Sequence, residues 1–140
     1  MNQTLMLHHR ETPALSADAG SLPLVVLHGL YGSGSNWGAI ARRLAQQRRV
    51  ITVDLRNHGL SPRADSMDYA DQARDVLALL DRLELPKVDL LGHSMGGKVA
   101  MMLALQAGSR LQRLFVADMA PVPYPMVEHG RILDALAALD

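Results

Sequence analysis

Residues 92–97 read Gly92-His93-Ser94-Met95-Gly96-Gly97 and contain a G-x-S-x-G pattern. A short apolar run before the pattern predicts a buried strand over 87–91, and a stretch rich in small residues after it predicts a helix over 95–107. A serine in this setting is typical of a nucleophile elbow. The turn brings the two flanking glycines so close together that side chains there would clash. We therefore expect Ser94 to be a nucleophile at a helix N-terminus, where the helix dipole favours developing negative charge.

The glycines also suggest two nucleotide-binding motifs, and the sequence disfavours both. Gly92 to Lys98 reads G-x-x-x-x-G-K, but a P-loop needs Ser or Thr next to ligate Mg²⁺, and Val99 stands there. Gly32-Ser33-Gly34 begins a dinucleotide-binding pattern, but Trp37 occupies its third glycine position. The remaining alternative for the Ser94 segment is an ordinary glycine-rich strand–helix turn.

Strands and helices alternate along the rest of the chain. Apolar runs predict strands over 4–9, 24–27, 50–55, 87–91 and 114–117. Helical spacing predicts helices over 37–47 (with Asn36 as its N-cap), 68–85 and 95–107, and one from about 127 that is still running at 140. This alternation favours an α/β fold, a mostly parallel sheet with helices on both faces. In such sheets the reactive groups gather at the carboxyl ends of the strands.

The segment His28-Gly29-Leu30 follows the strand predicted over 24–27. An acyl-transfer serine needs two backbone N–H donors for its oxyanion, one from the residue after the nucleophile and one from this loop. We expect Met95 to supply the first, and Leu30, with Tyr31 as second choice, to supply the other. The His28 side chain is interpreted as a hydrogen-bonded scaffold group.

Two carboxylates end predicted strands. Asp118 ends the strand after the elbow helix, where it could hold a catalytic histidine or be an N-cap or loop carboxylate. Asp54 begins a polar loop that includes His58. We interpret that loop mainly as a brace for the site rather than as a catalytic pair.

Composition excludes several other classes of protein. Hydrophobic residues make up 49% of the chain and charged residues 20%, which argues against disorder. The 14 basic residues balance the 14 acidic ones, which argues against a nucleic-acid partner. Absence of cysteine excludes disulfides and thiolate metal sites. The first residues do not resemble a signal peptide and no apolar run could cross a bilayer. We therefore predict a cytoplasmic protein with no membrane partner, no metal and no cofactor, and leave the oligomeric state open.

Together the motifs resemble the α/β-hydrolase fold family. The resemblance runs from about Leu24 to the end of the chain and is carried by residues 26–33, 56–63 and 92–98. It implies a serine carboxylesterase or acyl thioesterase that cleaves a small-molecule ester or thioester, with an acyl-CoA as one candidate, through an acyl-enzyme. The residues it implies are the nucleophile Ser94, the acid Asp118, the oxyanion donors Leu30 and Met95, and the supporting residues His28, Gly29, Gly92, His93 and Gly96.

The chain has 140 residues, whereas α/β domains of this kind commonly run to roughly 200–250. In this family the histidine base follows the acid in the chain. His129 does follow Asp118, but it stands where the cap helices would begin. We therefore expect a C-terminally incomplete fold, with core over 1–120 and the start of a cap over 121–140, that is inactive alone. The alternatives are a non-catalytic or split hydrolase that needs a partner, and a C–C hydrolase or perhydrolase on the same scaffold.

Overall fold

The computed structural model describes residues 3–16, 20–124 and 126–139, and for 126–129 and 132 it describes the backbone alone. It contains five strands and four α-helices within those ranges. The strands are β1 (His9–Thr12), β2 (Leu24–Leu27), β3 (Val50–Val53), β4 (Val88–His93) and β5 (Leu111–Ala117). The helices are α1 (Gly38–Leu44), α2 (Tyr69–Arg82), α3 (Met95–Ala107) and α4 (Met126–Ala137), with short 3₁₀ turns at Gly34–Trp37 and Gly108–Arg110.

The five strands form one sheet in the order β1-β3-β2-β4-β5. Strands β2 to β5 are parallel to their neighbours, and only β1 runs antiparallel, at the edge beside β3. Parallel neighbours require crossover connections, which α1, α2 and α3 provide. The predicted α/β fold with a mostly parallel sheet is confirmed.

Alternate residues of the central strands face opposite sides of the sheet. Val25 and Leu27 belong to the larger core cluster, together with the apolar residues of α2 and α3. Leu24 and Val26 belong to a second cluster, together with Ala41 and Ala45 near α1. Helices therefore cover both faces, which explains why these strands are apolar at every position instead of alternating with polar residues.

The first strand lies later in the chain than the predicted 4–9 segment. Leu7 is buried in the core cluster that includes α2, and the Leu5 N–H donates to Asp75 of that helix at 2.7 Å. The backbone of this segment therefore forms hydrogen bonds with α2 and with nearby loops. Leu5 and Leu7 are apolar because they pack against the core. Pairing with β3 begins only at His9.

Other boundaries also differ from the prediction. The helix expected over 37–47 begins as the 3₁₀ turn Gly34–Trp37, and Ser33 is its N-cap. The prediction of Asn36 as the N-cap was wrong, because this residue lies inside the 3₁₀ turn. Its side chain accepts the Ser33 N–H at 2.7 Å. Strand β5 begins at Leu111 instead of 114 because an edge strand tolerates the exposed Gln112 and Arg113. The predicted division of the chain at 120/121 stays a prediction.

Within the described ranges, no helix is long and apolar enough to cross a bilayer.

A buried ion network ties the loop after β3 to helix α2. The Arg56 side chain is 1% exposed and binds Asp75 in a bidentate manner, with Nε to Oδ2 at 2.7 Å and Nη2 to Oδ1 at 3.0 Å. Its Nη1 lies 3.5 Å from Asp71 Oδ2. Asp71 also pairs with the half-exposed Arg74 at 2.7 Å. The network therefore contains one buried and one exposed arginine that share a carboxylate.

Replacing Arg56 by Met should cost about 3–5 kcal/mol of unfolding free energy, because Asp75 would be left as an uncompensated buried charge. The matched control is Arg74→Met, which removes an exposed partner of the same network and should cost less than about 1 kcal/mol. Urea unfolding followed by circular dichroism measures both. Equal losses in the two variants would contradict a structural role for the buried pair.

Candidate active site

Ser94 lies between the end of β4 and the start of α3. Its backbone angles are φ +52° and ψ −117°, a conformation that residues with a side chain rarely adopt. A Cβ added to Gly92 would lie under 3.0 Å from Gly96, a separation that real Cβ atoms essentially never show. A Cβ added to Gly96 would lie 2.5 Å from the carbonyl oxygens of Leu27 and His28. The crowding expected for a nucleophile elbow is therefore present at both flanking glycines.

Backbone hydrogen bonds hold the elbow against β5 and α3. The Ser94 N–H donates to the Ala117 carbonyl at 3.0 Å, and the Ser94 carbonyl accepts the N–H groups of Gly97 at 2.9 Å and Lys98 at 3.3 Å. Among the hydrogen bonds of the described residues, none involves the Ser94 hydroxyl. The hydroxyl group is thus available to a substrate while its backbone is fixed.

The loop after β2 forms a four-residue turn beside Ser94. The Gly32 N–H donates to the Gly29 carbonyl at 3.0 Å, which closes the turn. A Cβ added to Gly29 would lie 3.2 Å from the Cβ of Ser94, so the turn approaches the serine closely. The Tyr31 N–H donates to Nε2 of His58 at 3.2 Å and is therefore engaged. Of the two donors that the sequence left open, Leu30 remains the candidate.

Among the hydrogen bonds of the described residues, none is donated by the backbone N–H of Leu30 or of Met95. Met95 is the first residue of α3, where N–H groups have no intrahelical acceptor. An oxyanion hole requires such unpaired donors next to the nucleophile. The assignment of Leu30 and Met95 as its donors stays a prediction.

A cleft of about 260 Å³ opens beside the turn. It is lined by residues 29–32 together with His28, Asn36, Trp37 and His93. The rings of Trp37 and His93 meet edge to face, with centroids 6.0 Å apart. The cleft therefore combines an aromatic wall with the backbone of the candidate oxyanion turn.

None of the described histidine side chains forms a hydrogen bond with the Ser94 hydroxyl. His28 and His58 bind backbone groups, His8 Nδ1 lies 2.9 Å from Asp54 Oδ2, and His9 Nε2 lies 3.4 Å from Glu11. His93 Nε2 lies 4.0 Å from Asp118 Oδ2. The side chain of His129 lies outside the described residues. The part of the chain that the structure describes thus provides no base at Ser94.

Asp118 directly follows β5, at the same sheet end as Ser94. Its backbone has φ +56° and its side chain is 88% exposed. Apart from the 4.0 Å approach of His93, no described residue pairs with its carboxylate. An exposed carboxylate at this position can receive an imidazole, and the assignment of Asp118 as the acid stays a prediction.

Asp54 binds three separate segments, as expected for a brace. Its Oδ1 accepts the Gly34 N–H at 2.7 Å, and its Oδ2 accepts the Leu60 N–H and the Nδ1 of His8, both at 2.9 Å. Burial acts to raise the pKa of Asp54, but the hydrogen bonds from Leu60, Gly34 and His8 outweigh it and lower this pKa. His8 was missed as a partner because no local pattern links it to Asp54.

Among the described residues, no group of His, Asp and Glu side chains could hold a metal ion.

Burial lowers the pKa of His28 below its ordinary 6.5, and the nearby His58 acts in the same direction, while the bond to the Gly29 carbonyl and the charge of Asp54 oppose it. Below about pH 6.5 the unfolded chain therefore binds a proton that folded His28 does not, so stability falls as pH decreases through that value. We expect the wild type to lose more unfolding free energy than His28→Gln between about pH 7.5 and about pH 5.5. Equal losses of unfolding free energy in the two chains would contradict a lowered pKa of His28.

Gly92→Ala should destabilise the fold by about 2 kcal/mol or more, because the new methyl group would meet the Gly96 backbone. Gly108→Ala is the matched control, since a Cβ there meets nothing within 4 Å and its φ is −57°. Thermal unfolding of both variants measures the difference. A Gly92→Ala chain as stable as Gly108→Ala would mean that the elbow is not close-packed.

Comparison with known proteins agrees with this geometry. Residues 23–139 match the family model of the alpha/beta hydrolase fold. The chain is 44% identical over 117 residues to Esterase YbfF of Escherichia coli, covering 84% of this chain and 46% of that protein. It is 48% identical over 103 residues to sn-1-specific diacylglycerol lipase ABHD11 of Xenopus laevis, covering 72% of this chain and 33% of that protein.

Solved structures give the same result. A marine microorganism esterase superposes with a TM-score of 0.87 at 39% identity, covering 97% of this chain and 52% of that chain. The chain thus spans about half, or less, of the length of the relatives it matches. With a family match over most of its length and an elbow of the expected geometry, this chain belongs to the α/β-hydrolase fold family.

Proposed function

We propose that this chain carries the nucleophile and the oxyanion hole of a serine hydrolase that cleaves carboxylic esters or acyl thioesters. The observation that carries the proposal is the placement of Ser94, in a left-handed backbone conformation and beside two unpaired backbone N–H groups. The similar proteins named esterase and lipase support an ester as the substrate class.

In the proposed reaction, the Ser94 hydroxyl attacks the substrate carbonyl carbon and forms a tetrahedral intermediate. The N–H groups of Leu30 and Met95 donate to its oxyanion, and the N-terminus of α3 adds a favourable dipole. Collapse of the intermediate expels the alcohol or thiol, which takes the proton removed from Ser94. Water then attacks the acyl-enzyme, releasing the carboxylic acid and restoring the serine.

The proposal needs a base that accepts the Ser94 proton and returns it to the leaving group. We propose that a histidine beyond residue 140 has this role, because the base follows the acid in this family and this chain covers only 46% of Esterase YbfF. Asp118 would hold that imidazole in the correct tautomer and stabilise its charged form. The high exposure of the Asp118 side chain supports this role.

If the base is absent, the 140-residue chain should hydrolyse p-nitrophenyl butyrate only slowly, at the roughly 10³–10⁴ over water that serine hydrolases retain without their triad. Ser94→Ala should change this low rate little, because the residual rate comes from the oxyanion hole. A thioester of butyric acid, assayed in parallel, distinguishes an esterase from a thioesterase.

Brisk turnover that is lost in Ser94→Ala would overturn the placement of the base beyond residue 140. His129→Ala then identifies the alternative, because loss of that turnover would make His129 the base. Turnover no faster than buffer alone in the wild-type chain would contradict the oxyanion hole itself.

A second candidate is a non-catalytic or split hydrolase that functions only with a partner chain. It is favoured by β5, which is the last strand in the sheet order and has Leu114 and Phe115 at 38% and 44% exposure. An unpaired apolar strand edge promotes association. Size exclusion of the 140-residue chain separates the two: a self-associated species favours the split form, and a monomer contradicts it.

A further inference from the structure

Two histidine rings pack behind the candidate oxyanion turn, with their centroids 5.0 Å apart. Nδ1 of His28 lies 2.7 Å from the Gly29 carbonyl oxygen, and its Nε2 lies 3.0 Å from the Leu55 N–H nitrogen. Nδ1 of His58 lies 2.9 Å from the Arg56 carbonyl oxygen, and its Nε2 lies 3.2 Å from the Tyr31 nitrogen. Each ring therefore bridges one carbonyl and one N–H of the backbone.

This pattern determines the protonation of both rings. A carbonyl oxygen only accepts hydrogen bonds, so each Nδ1 must carry a hydrogen. A backbone N–H only donates, so each Nε2 must be bare. Both histidines are consequently neutral and in the Nδ1–H tautomer. A protonated ring would direct a second N–H against the backbone N–H of Leu55 or Tyr31.

The two rings act on consecutive peptide groups. The carbonyl of the Gly29–Leu30 peptide accepts the hydrogen bond from His28, and the N–H of the same peptide is the unpaired donor of Leu30. Because a peptide group is planar, fixing the direction of its carbonyl also fixes the direction of its N–H. Hydrogen bonding at the carbonyl further polarises the N–H and makes it a stronger donor.

The next peptide, Leu30–Tyr31, is held through its N–H by His58. Tyr31 has φ +63°, a left-handed conformation that a tyrosine adopts only at a cost. A turn with a left-handed third residue differs from the commonest turn by a flip of this central peptide. The bond to His58 therefore stabilises the orientation that the Tyr31 side chain disfavours.

We propose that His28 and His58 are positioning residues that, as neutral Nδ1–H tautomers, orient these two peptides and aim the Leu30 N–H at the oxyanion. The inference rests on the proposed function for its catalytic consequence, whereas the tautomers and the turn geometry can be measured without any turnover. His58 acts from a loop 27 positions further along the chain, through its hydrogen bond with the Tyr31 N–H.

The first test is ¹⁵N NMR of the 140-residue chain. Long-range ring spectra should show that Nδ1 is protonated and Nε2 is bare in both His28 and His58, the opposite of the tautomer that predominates in free histidine. His9, which contacts Glu11 instead, is the internal control. Finding the Nε2–H tautomer or a charged ring at either position near neutral pH would overturn the proposal.

The second test compares His58→Gln with His58→Leu. The glutamine side chain can present an oxygen acceptor to the Tyr31 N–H, whereas leucine cannot. His58→Leu should shift the amide resonances of Leu30 and Tyr31 and lower the residual kcat for p-nitrophenyl butyrate about tenfold to a hundredfold, with a smaller change in KM. His58→Gln should restore most of both. His9→Leu should alter neither.

The outcomes separate the proposed function from the positioning role of the two histidines. Predicted tautomers and amide shifts without any turnover would contradict the proposed function and leave the positioning of the turn supported. Unchanged Leu30 and Tyr31 amides in His58→Leu, or a kcat loss that glutamine does not rescue, would overturn the positioning role. If His58→Leu fails to fold, the tautomers of the wild type and the kcat of His58→Gln still test the positioning role.

Discussion

The close approach of two glycines around Ser94 is the constraint on which the site depends. Gly92 and Gly96 can approach because neither carries a Cβ, and this approach allows Ser94 to adopt φ +52° between β4 and α3. Gly96 also lies against the carbonyl oxygens at the end of β2, so the same contact brings helix α3 to the neighbouring strand. Ser94, the N-terminus of α3 and the candidate oxyanion turn are thereby positioned by one packing contact.

Around this centre, buried polar groups fix the loops. Asp54 collects donors from residues 8, 34 and 60, and the pair of Arg56 with Asp75 attaches the following loop to α2. Each buried charge here has a partner or several hydrogen bonds, which offsets its desolvation. In our proposal, His28 and His58 extend the same principle to the candidate oxyanion turn with neutral rings.

Features that depend on neighbouring residues could be predicted from the sequence. The elbow at Ser94 and the buried strands β2 and β4 follow from local patterns of glycine and apolar residues, and the structure agrees with them. The first strand was misplaced because Leu5 and Leu7 alternate like a strand but pack in the core that includes α2.

Features that depend on distant partners could not be predicted. The sequence favoured Leu30 but left Tyr31 as a second choice, because the acceptor that engages the Tyr31 N–H is His58, 27 positions away. The contact of His8 with Asp54 spans 46 positions and likewise has no local signature. Long-range hydrogen bonds of this kind arise only once the sheet has brought the loops together.

The central claim is that Ser94 faces an oxyanion hole formed by the N–H groups of Leu30 and Met95. A crystal structure of the chain with a boronic acid bound to Ser94 tests it most directly, because the tetrahedral boronate reproduces the shape and charge of the intermediate. We predict one boronate oxygen within about 2.7–3.1 Å of both nitrogens, with Ser94 retaining its left-handed φ. A boronate oxygen that contacts neither nitrogen, or an extended Ser94, would contradict the account.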